Sequence, residues 1–225
     1  NNDNYTLTSD TKGTTIKGTV TNDAGLTGNC SISVKKDTEA PSCNVNASGT
    51  MGQNNWYTSN VSMSLSATDS TSGVASYGLN ANSKSYNSRN SQSLTWDTSG
   101  ITYYGIVSDN AGNQRDCSKW VKRLATAPSC SLQASGTVGN NGWYRSNVSI
   151  KMTSNSSYVT NKNVNNTNRD NYTLTSDTKG TTINGTVTNE AGLTGNCSIS
   201  VKKDTEAPSC NVNASGTMGQ NNWYT

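Results

Sequence analysis

Apolar and polar residues alternate along most of this chain. Cys43, Val45 and Ala47 form one alternating run, and Val61, Met63, Leu65 and Ala67 form another. Leu94 and Trp96, Tyr103 and Val107, and Cys117 and Val121 continue the pattern. The same series returns later as Cys130, Leu132 and Ala134, then Val148, Ile150 and Met152, Ile183 and Val187, and Cys197, Ile199 and Val201. A two-residue period puts one side of each segment in a core and the other in water, which predicts strands. Threonine at the intervening positions suits a solvated sheet face. Turn signals separate the runs, the sharpest being Asp109-Asn110-Ala111-Gly112-Asn113 between the last two. Its counterparts are Asn22-Asp23-Ala24-Gly25 and Asn189-Glu190-Ala191-Gly192. Helix is disfavoured: only Glu39, Glu190 and Glu206 represent glutamate, and leucine is scarce. The stretch Asn155 to Arg169 is polar and weakly patterned and predicts no clear strand.

Repetition organises these strands. Residues Asn4 to Thr58 recur as Asn171 to Thr225, with all but two positions identical. The exceptions are Lys17, which becomes Asn184, and Asp23, which becomes Glu190. All three prolines, Pro41, Pro128 and Pro208, lie in Ala-Pro-Ser-Cys, and each is followed by Ser-Gly-Thr, a Gly-Asn-rich turn and Trp-Tyr. The interval from Pro41 to Pro128 is longer than that from Pro128 to Pro208, so the period holds a long and a short unit. Units of this size have room for their own small core. The expected division is 1–40, the end of a short unit; 41–127, a complete long unit; 128–207, a complete short unit; and 208–225, the start of another long unit. About seven short strands per unit, each with one buried face, predict an all-β chain of tandem immunoglobulin-like antiparallel β-sandwich domains.

Composition narrows the chemistry. Asn, Ser and Thr supply 98 of 225 residues, and histidine is absent. Ser-His and Cys-His nucleophilic systems are therefore excluded, no base–nucleophile pair stands out, and no enzyme or cofactor is expected. The net charge is +3 with lysine and arginine scattered, which gives no nucleic-acid footprint. No apolar run approaches the roughly 20 residues of a membrane span. Lys17 is replaced in its own repeat, so an obligatory Lys–Asn isopeptide bond through it is not expected.

Three motifs carry a resemblance. They are Trp56-Tyr57-Thr58-Ser59-Asn60-Val61, the Asp109 to Asn113 turn, and Val34-Lys35-Lys36-Asp37-Thr38-Glu39-Ala40-Pro41. Together with Ser72-Gly73-Val74, this pattern resembles bacterial Ig-like tandem repeats of extracellular surface proteins. The resemblance implies a stalk, spacer or adhesive role at a cell surface. Partners would be other copies of the array or cell-surface components, with a glycan or protein ligand in the adhesive case.

Six cysteines, Cys30, Cys43, Cys117, Cys130, Cys197 and Cys210, bracket the units. Zinc would bring CxxC or histidine, so disulfides and an oxidising extracellular space are expected. Two pairings fit. The first joins Cys43–Cys117 and Cys130–Cys197 and leaves Cys30 and Cys210 to partners beyond these residues. First and last strands of an Ig-like sandwich lie close enough for it, and the closed loops stabilise by about 4 to 4.5 kcal/mol in a chain-entropy argument. The second joins Cys30–Cys43, Cys117–Cys130 and Cys197–Cys210 across the junctions and leaves none over.

Asp37 and Glu39, with their copies Asp204 and Glu206, are weak metal candidates. Calcium wants six to eight oxygens, and the junction at Lys122 to Thr126 has no carboxylate, so a solvated linker is the expectation. Trp56, Trp143 and Trp223 are expected to cap one end of a sandwich. Trp96, Trp120 and Tyr104 occur only in the long unit; they are candidates for contact with a ligand or another chain.

Overall fold

The computed structural model describes residues 4–225, so the first three residues of the 1–40 segment lie outside the described residues. Two compact units emerge: residues 4–127 with Asn189–Thr194, and residues 128–188 with 195–225. The regular structure of the described residues is nearly all strand, with three short 3₁₀ turns.

The first unit opens with a hairpin, β1 (Thr11–Thr21) and β2 (Thr27–Lys36), which forms a two-stranded sheet. Asn22 makes its turn: the side-chain oxygen accepts from Ala24 N at 3.1 Å and Leu26 N at 2.9 Å. A sandwich follows, built from β3 (Asn44–Ser48), β4 (Val61–Ser66), β5 (Val74–Ala81), β6 (Ser91–Leu94), β7 (Thr98–Asp109) and β8 (Gln114–Arg123). One sheet runs β3-β4-β6 and the other β5-β7-β8, with all neighbours antiparallel. Register sets Val45 opposite Leu65, Val61 opposite Leu94, Tyr77 opposite Val107 and Ile101 opposite Val121. Along β4 the side chains are alternately buried and exposed, as its apolar period requires. Val61, Met63, Leu79, Leu94, Tyr103 and Val107 centre the core.

The second unit repeats this plan with β9 (Ser131–Ser135), β10 (Trp143–Tyr144), β11 (Val148–Thr153), β12 (Val159–Val164), β13 (Asn171–Leu174), β14 (Thr178–Asn189) and β15 (Thr194–Lys203). Its sheets run β13-β11-β9 and β10-β15-β14-β12. Val148, Ile150, Met152, Val164, Leu174, Ile183, Val187 and Val201 form the core. The polar stretch that predicted no clear strand forms β12. Val164 is fully buried there, and the chain then turns through left-handed Asn165, Asn166 and Asn168. Asparagine tolerates that conformation better than other non-glycine residues.

The Trp-Tyr motif has one job in both units. A 3₁₀ turn, Gln53–Asn55 or Asn140–Gly142, precedes it with Asn54 or Asn141 left-handed. The tyrosine then runs parallel to the last strand. Tyr57 N donates to Lys122 O at 3.0 Å and Leu124 N to Tyr57 O at 2.9 Å. In the second unit Tyr144 faces Lys203 in a parallel pair. The hydroxyls of Tyr57 and Tyr144 donate to Ala47 O and Ala134 O at 3.4 and 3.3 Å.

Candidate functional site

Each sandwich is closed at one side by a disulfide. Cys43, just before β3, is bonded to Cys117 in β8, with Cα atoms 5.6 Å apart. Cys130, just before β9, is bonded to Cys197 in β15, with Cα atoms 5.7 Å apart. Both spans lie in the ordinary range for a disulfide. The bond joins the first strand of a unit to its last, and crosses from one sheet to the other. Cys30 and Cys210 are free and exposed.

A glycine makes room for each bond. Gly105 is paired with Cys117 in the β7–β8 register. A Cβ on Gly105 would meet Leu65 Cδ1 at 2.6 Å, Cys117 Sγ at 2.8 Å and Val45 Cγ2 at 3.1 Å. Gly185 is equally crowded by Met152 and Cys197 Sγ. In the hairpin, Gly18 faces Cys30. The sequence does carry a signal for these residues, because glycine precedes cysteine by the same interval in Gly18–Cys30, Gly105–Cys117 and Gly185–Cys197.

Where the chain leaves each last strand, an aspartate clamps it. Asp97 accepts from Arg123 Nη1 at 2.7 Å, Ala125 N at 2.8 Å and Thr126 N at 3.1 Å. Arg123 Nε also donates to Ser59 O at 2.9 Å. In the second unit Lys203 is buried and donates to Asp177 Oδ1 at 2.6 Å and Thr175 O at 2.9 Å, while Thr205 N donates to Asp177 Oδ2 at 3.0 Å. The hairpin has the same device in Asp10, Lys36 and Thr38. Burial opposes the charge on Asp97. The hydrogen bonds from Ala125 and Thr126 and the Arg123 guanidinium outweigh it and hold the carboxyl below its ordinary value. Asp177 is also lowered, chiefly by its hydrogen bond from Lys203 and then by Thr205 N.

Asp37, Asp69 and Asp109 in the first unit offer carboxylate oxygens within 4.8 Å of one another, so they are the residues that could hold a cation. Each also closes a turn. Asp69 Oδ1 accepts from Ser72 N at 2.9 Å and Gly73 N at 2.7 Å. Asp109 Oδ1 accepts from Ala111 N at 2.9 Å and Asn113 N at 2.8 Å. Asp37 Oδ2 accepts from Ser72 N at 3.0 Å. Burial works against the charge on Asp109, but the Asn113 side chain and the backbone N–H groups of the turn prevail and lower its pKa. Asn189 makes the matching turn in the short unit as a neutral residue, accepting from Leu193 N at 3.0 Å. Of the four metal candidates read from the sequence, Asp37 joins this group. Among the described residues, Glu39, Asp204 and Glu206 join no such group.

The aromatic candidates divide. Trp96 and Trp120 are 52% and 54% exposed. Trp120 lies across Gly100, where a Cβ would meet its ring at 2.6 Å. Tyr104 is half-buried with the Lys84 ammonium 5.7 Å from its ring centroid. Trp56 is buried, packs with Leu124 and Ala191, and has Lys122 Nζ 4.6 Å from its ring. Trp143 is half-buried and Trp223 is exposed. No helix of the described residues is long and apolar enough to cross a membrane.

No protein-family model matches the chain. No curated protein matches it either. Solved structures do. Fibronectin(III)-like modules of Clostridium thermocellum CbhA align with TM-score 0.31 and 11% identity, over 75% of this chain and 100% of that one. A tetra-tandem repeat from the extending region of a large adhesion protein aligns with TM-score 0.36 and 13% identity, over 86% of this chain and 57% of that one. A bacterial ice-binding adhesin of 1.5 MDa aligns with TM-score 0.30 and 11% identity, over 67% of this chain and 59% of that one.

Proposed function

We propose that this chain is part of a non-enzymatic, extracellular structural array, a disulfide-stapled stalk or fibre at a bacterial surface. The bond from first to last strand in each sandwich supports this reading most directly. Tension enters a unit ahead of its first strand and leaves after its last. The disulfide carries that tension across, so the strands between the two cysteines bear none of it. Tyr57 and Tyr144, hydrogen-bonded in parallel alongside the last strand, and the aspartate clamps fix the direction in which the chain leaves. Near-identical copies at a long, regular period suit a part whose length matters more than its surface detail.

Single-molecule stretching of the chain tests the proposal. With the bonds intact, the residues between each pair of cysteines add nothing to the extended length. Reduction releases loops with sequence separations of 74 and 67, worth about 250 and 230 Å at ~3.4 Å per residue. Equal contour lengths with and without reductant would sink the stalk reading. An adhesive role is favoured by one observation, the exposed pair Trp96 and Trp120. It requires that alanine at both positions abolish retention on a glycan or host-cell surface.

A further inference from the structure

The long and short units share a plan but not an outer face. Tyr103, Val107 and Val121 of the long unit point into its core, so the alternate residues Tyr104 and Trp120 turn away from it. Register pairs Trp120 with Thr102 and Tyr104 with Ser118, which makes the two aromatics diagonal neighbours on the outer face of β7–β8. Asp116 follows along β8 and lies diagonally on the other side of Tyr104. The matching positions in the short unit are Asn184, Asn196 and Ser200, and in its other copy Lys17, Asn29 and Ser33. Neither copy has an aromatic or a carboxylate there. The long-unit residues all belong to 41–127, every residue of which is described.

Two local devices hold this group. The Nε1–Cζ2 edge of the Trp120 indole rests on Gly100, where a Cβ would come within 2.6 Å of both atoms, yet the side chain stays 54% exposed. The matching Gly180 has nothing within 4 Å of its notional Cβ. The second device is the connection from β5 to β6, residues 82–90, where the short unit has only 165–170. It folds back over β5. Gly78 leaves room for Ser85 O, Asn80 Nδ2 donates to that oxygen at 2.6 Å, and Ser88 N donates to Tyr77 O at 3.0 Å. This path carries Lys84 across the sheet, where it pairs with Asp116 and sets its ammonium 5.7 Å from the Tyr104 ring centroid.

The chemistry of this face selects its ligand. A protein partner needs about 800 Å² on each side with an apolar centre. Here a single indole stands among Thr102, Ser118 and an ion pair. A polyanion would meet Asp116 beside Lys84, so the pair offers it no net positive charge. A neutral pyranose matches every part. Its C–H face is slightly positive and packs on the negative face of an indole. Its hydroxyls donate and accept, so one sugar edge satisfies a carboxylate and an ammonium together. β-Linked glucose presents the widest such faces, because its ring hydrogens are axial and its hydroxyls equatorial. Trp120 and Asp116 lie about 14 Å apart along the strand, so they meet different sugars of one chain. We infer that the outer face of β7–β8 in the long unit binds a neutral β-linked glucan, with Trp120 as the stacking platform and Lys84 and Asp116 as hydrogen-bond partners. This rests on the adhesive reading of the exposed tryptophans, and it divides the work: the long unit holds the glycan and the short unit sets the spacing.

The test titrates the full ¹⁵N-labelled chain with cellohexaose, a soluble β-linked glucose oligomer, and follows the indole N–H resonances by NMR. The resonance missing from Trp120→Ser belongs to Trp120, and the same comparison with Trp96→Ala assigns Trp96. The Trp120 signal is expected to shift and saturate. Trp120→Ser, judged on the backbone signals of Thr102 and Ser118, should raise Kd by about tenfold, the worth of one good aromatic contact. Lys84→Ala should raise it several-fold through a lost hydrogen bond. A Trp120 signal that cellohexaose leaves in place overturns the proposal, and so does a Kd that neither substitution changes. A saturable shift of Trp120 with heparin instead overturns the neutral-glucan assignment while the adhesive reading stands. A shift at Trp96 without one at Trp120 overturns this site and again leaves the adhesive reading standing. If neither tryptophan responds to either polymer and alanine at both leaves surface retention unchanged, both readings fall.

Discussion

Gly105 occupies a place that no other residue can fill without cost, because Cys117 Sγ crowds it from the neighbouring strand and Leu65 and Val45 close over it from the opposite sheet. Gly105→Ala is expected to destabilise the long unit by about 1–3 kcal/mol, the usual effect of overpacking a core. Chemical denaturation measures it, and the loss should shrink once the bond is reduced, since free thiols can move aside. An unchanged midpoint would mean that the backbone yields there. The apolar positions that line the cores were legible in the sequence because they follow the two-residue period. The aspartates were not. Asp37, Asp69 and Asp109 lie far apart along the chain, and only the fold brings them together. The clamp aspartates Asp10, Asp97 and Asp177 sit at polar positions where apolar periodicity is silent. Each precedes its basic partner, Lys36, Arg123 or Lys203, by the same interval, a regularity that the repeat would have exposed.

At the scale of elements, the clamps tie the loop before β7 or β14 to the residues that follow β8 or β15. Their carboxyl pKa values are lowered in the folded protein. A lowered folded value gives stability that is present above the unfolded carboxyl value, near 4, and is lost as pH falls through the folded one. Melting temperature should therefore hold from neutral pH down to about 5 and fall below about 4. Asp97→Asn should flatten part of that fall while lowering stability at neutral pH; a variant that melts with the natural pH profile would refute the clamp. Strand β12 was one element that the sequence hid. Val159 and Val164 are separated by an odd interval, so no two-residue period connects them, and the asparagine-rich turn that positions them resembles a disordered stretch in composition. Strands β3, β4, β6 to β9, β11, β14 and β15 were legible because turn signals separate their apolar runs, whereas β5 and β13 matched no run read from the sequence.

At the scale of the molecule, small cores with few large apolar residues make the covalent closures weigh heavily. Replacing Cys43 and Cys117 by alanine should cost the long unit about 4 kcal/mol, from the entropy of an open loop of this length. Denaturant titration of the double variant measures it, and a loss under about 1 kcal/mol would show that the unfolded chain retains its own closure. The sandwich plan was readable from periodicity alone, whereas which cysteines meet depended on how β3 and β8 come to lie at the same side. The near-identical hairpins β1–β2 and β14–β15 have a consequence for inheritance. A genetic crossover that joins the repeats in phase exchanges one hairpin for its twin, and only the Lys17/Asn184 and Asp23/Glu190 positions change. Chain length can then grow or shrink by whole periods, one long and one short unit at a time, without any new packing problem to solve. A lineage can adjust chain length in this way while its fold stays constant.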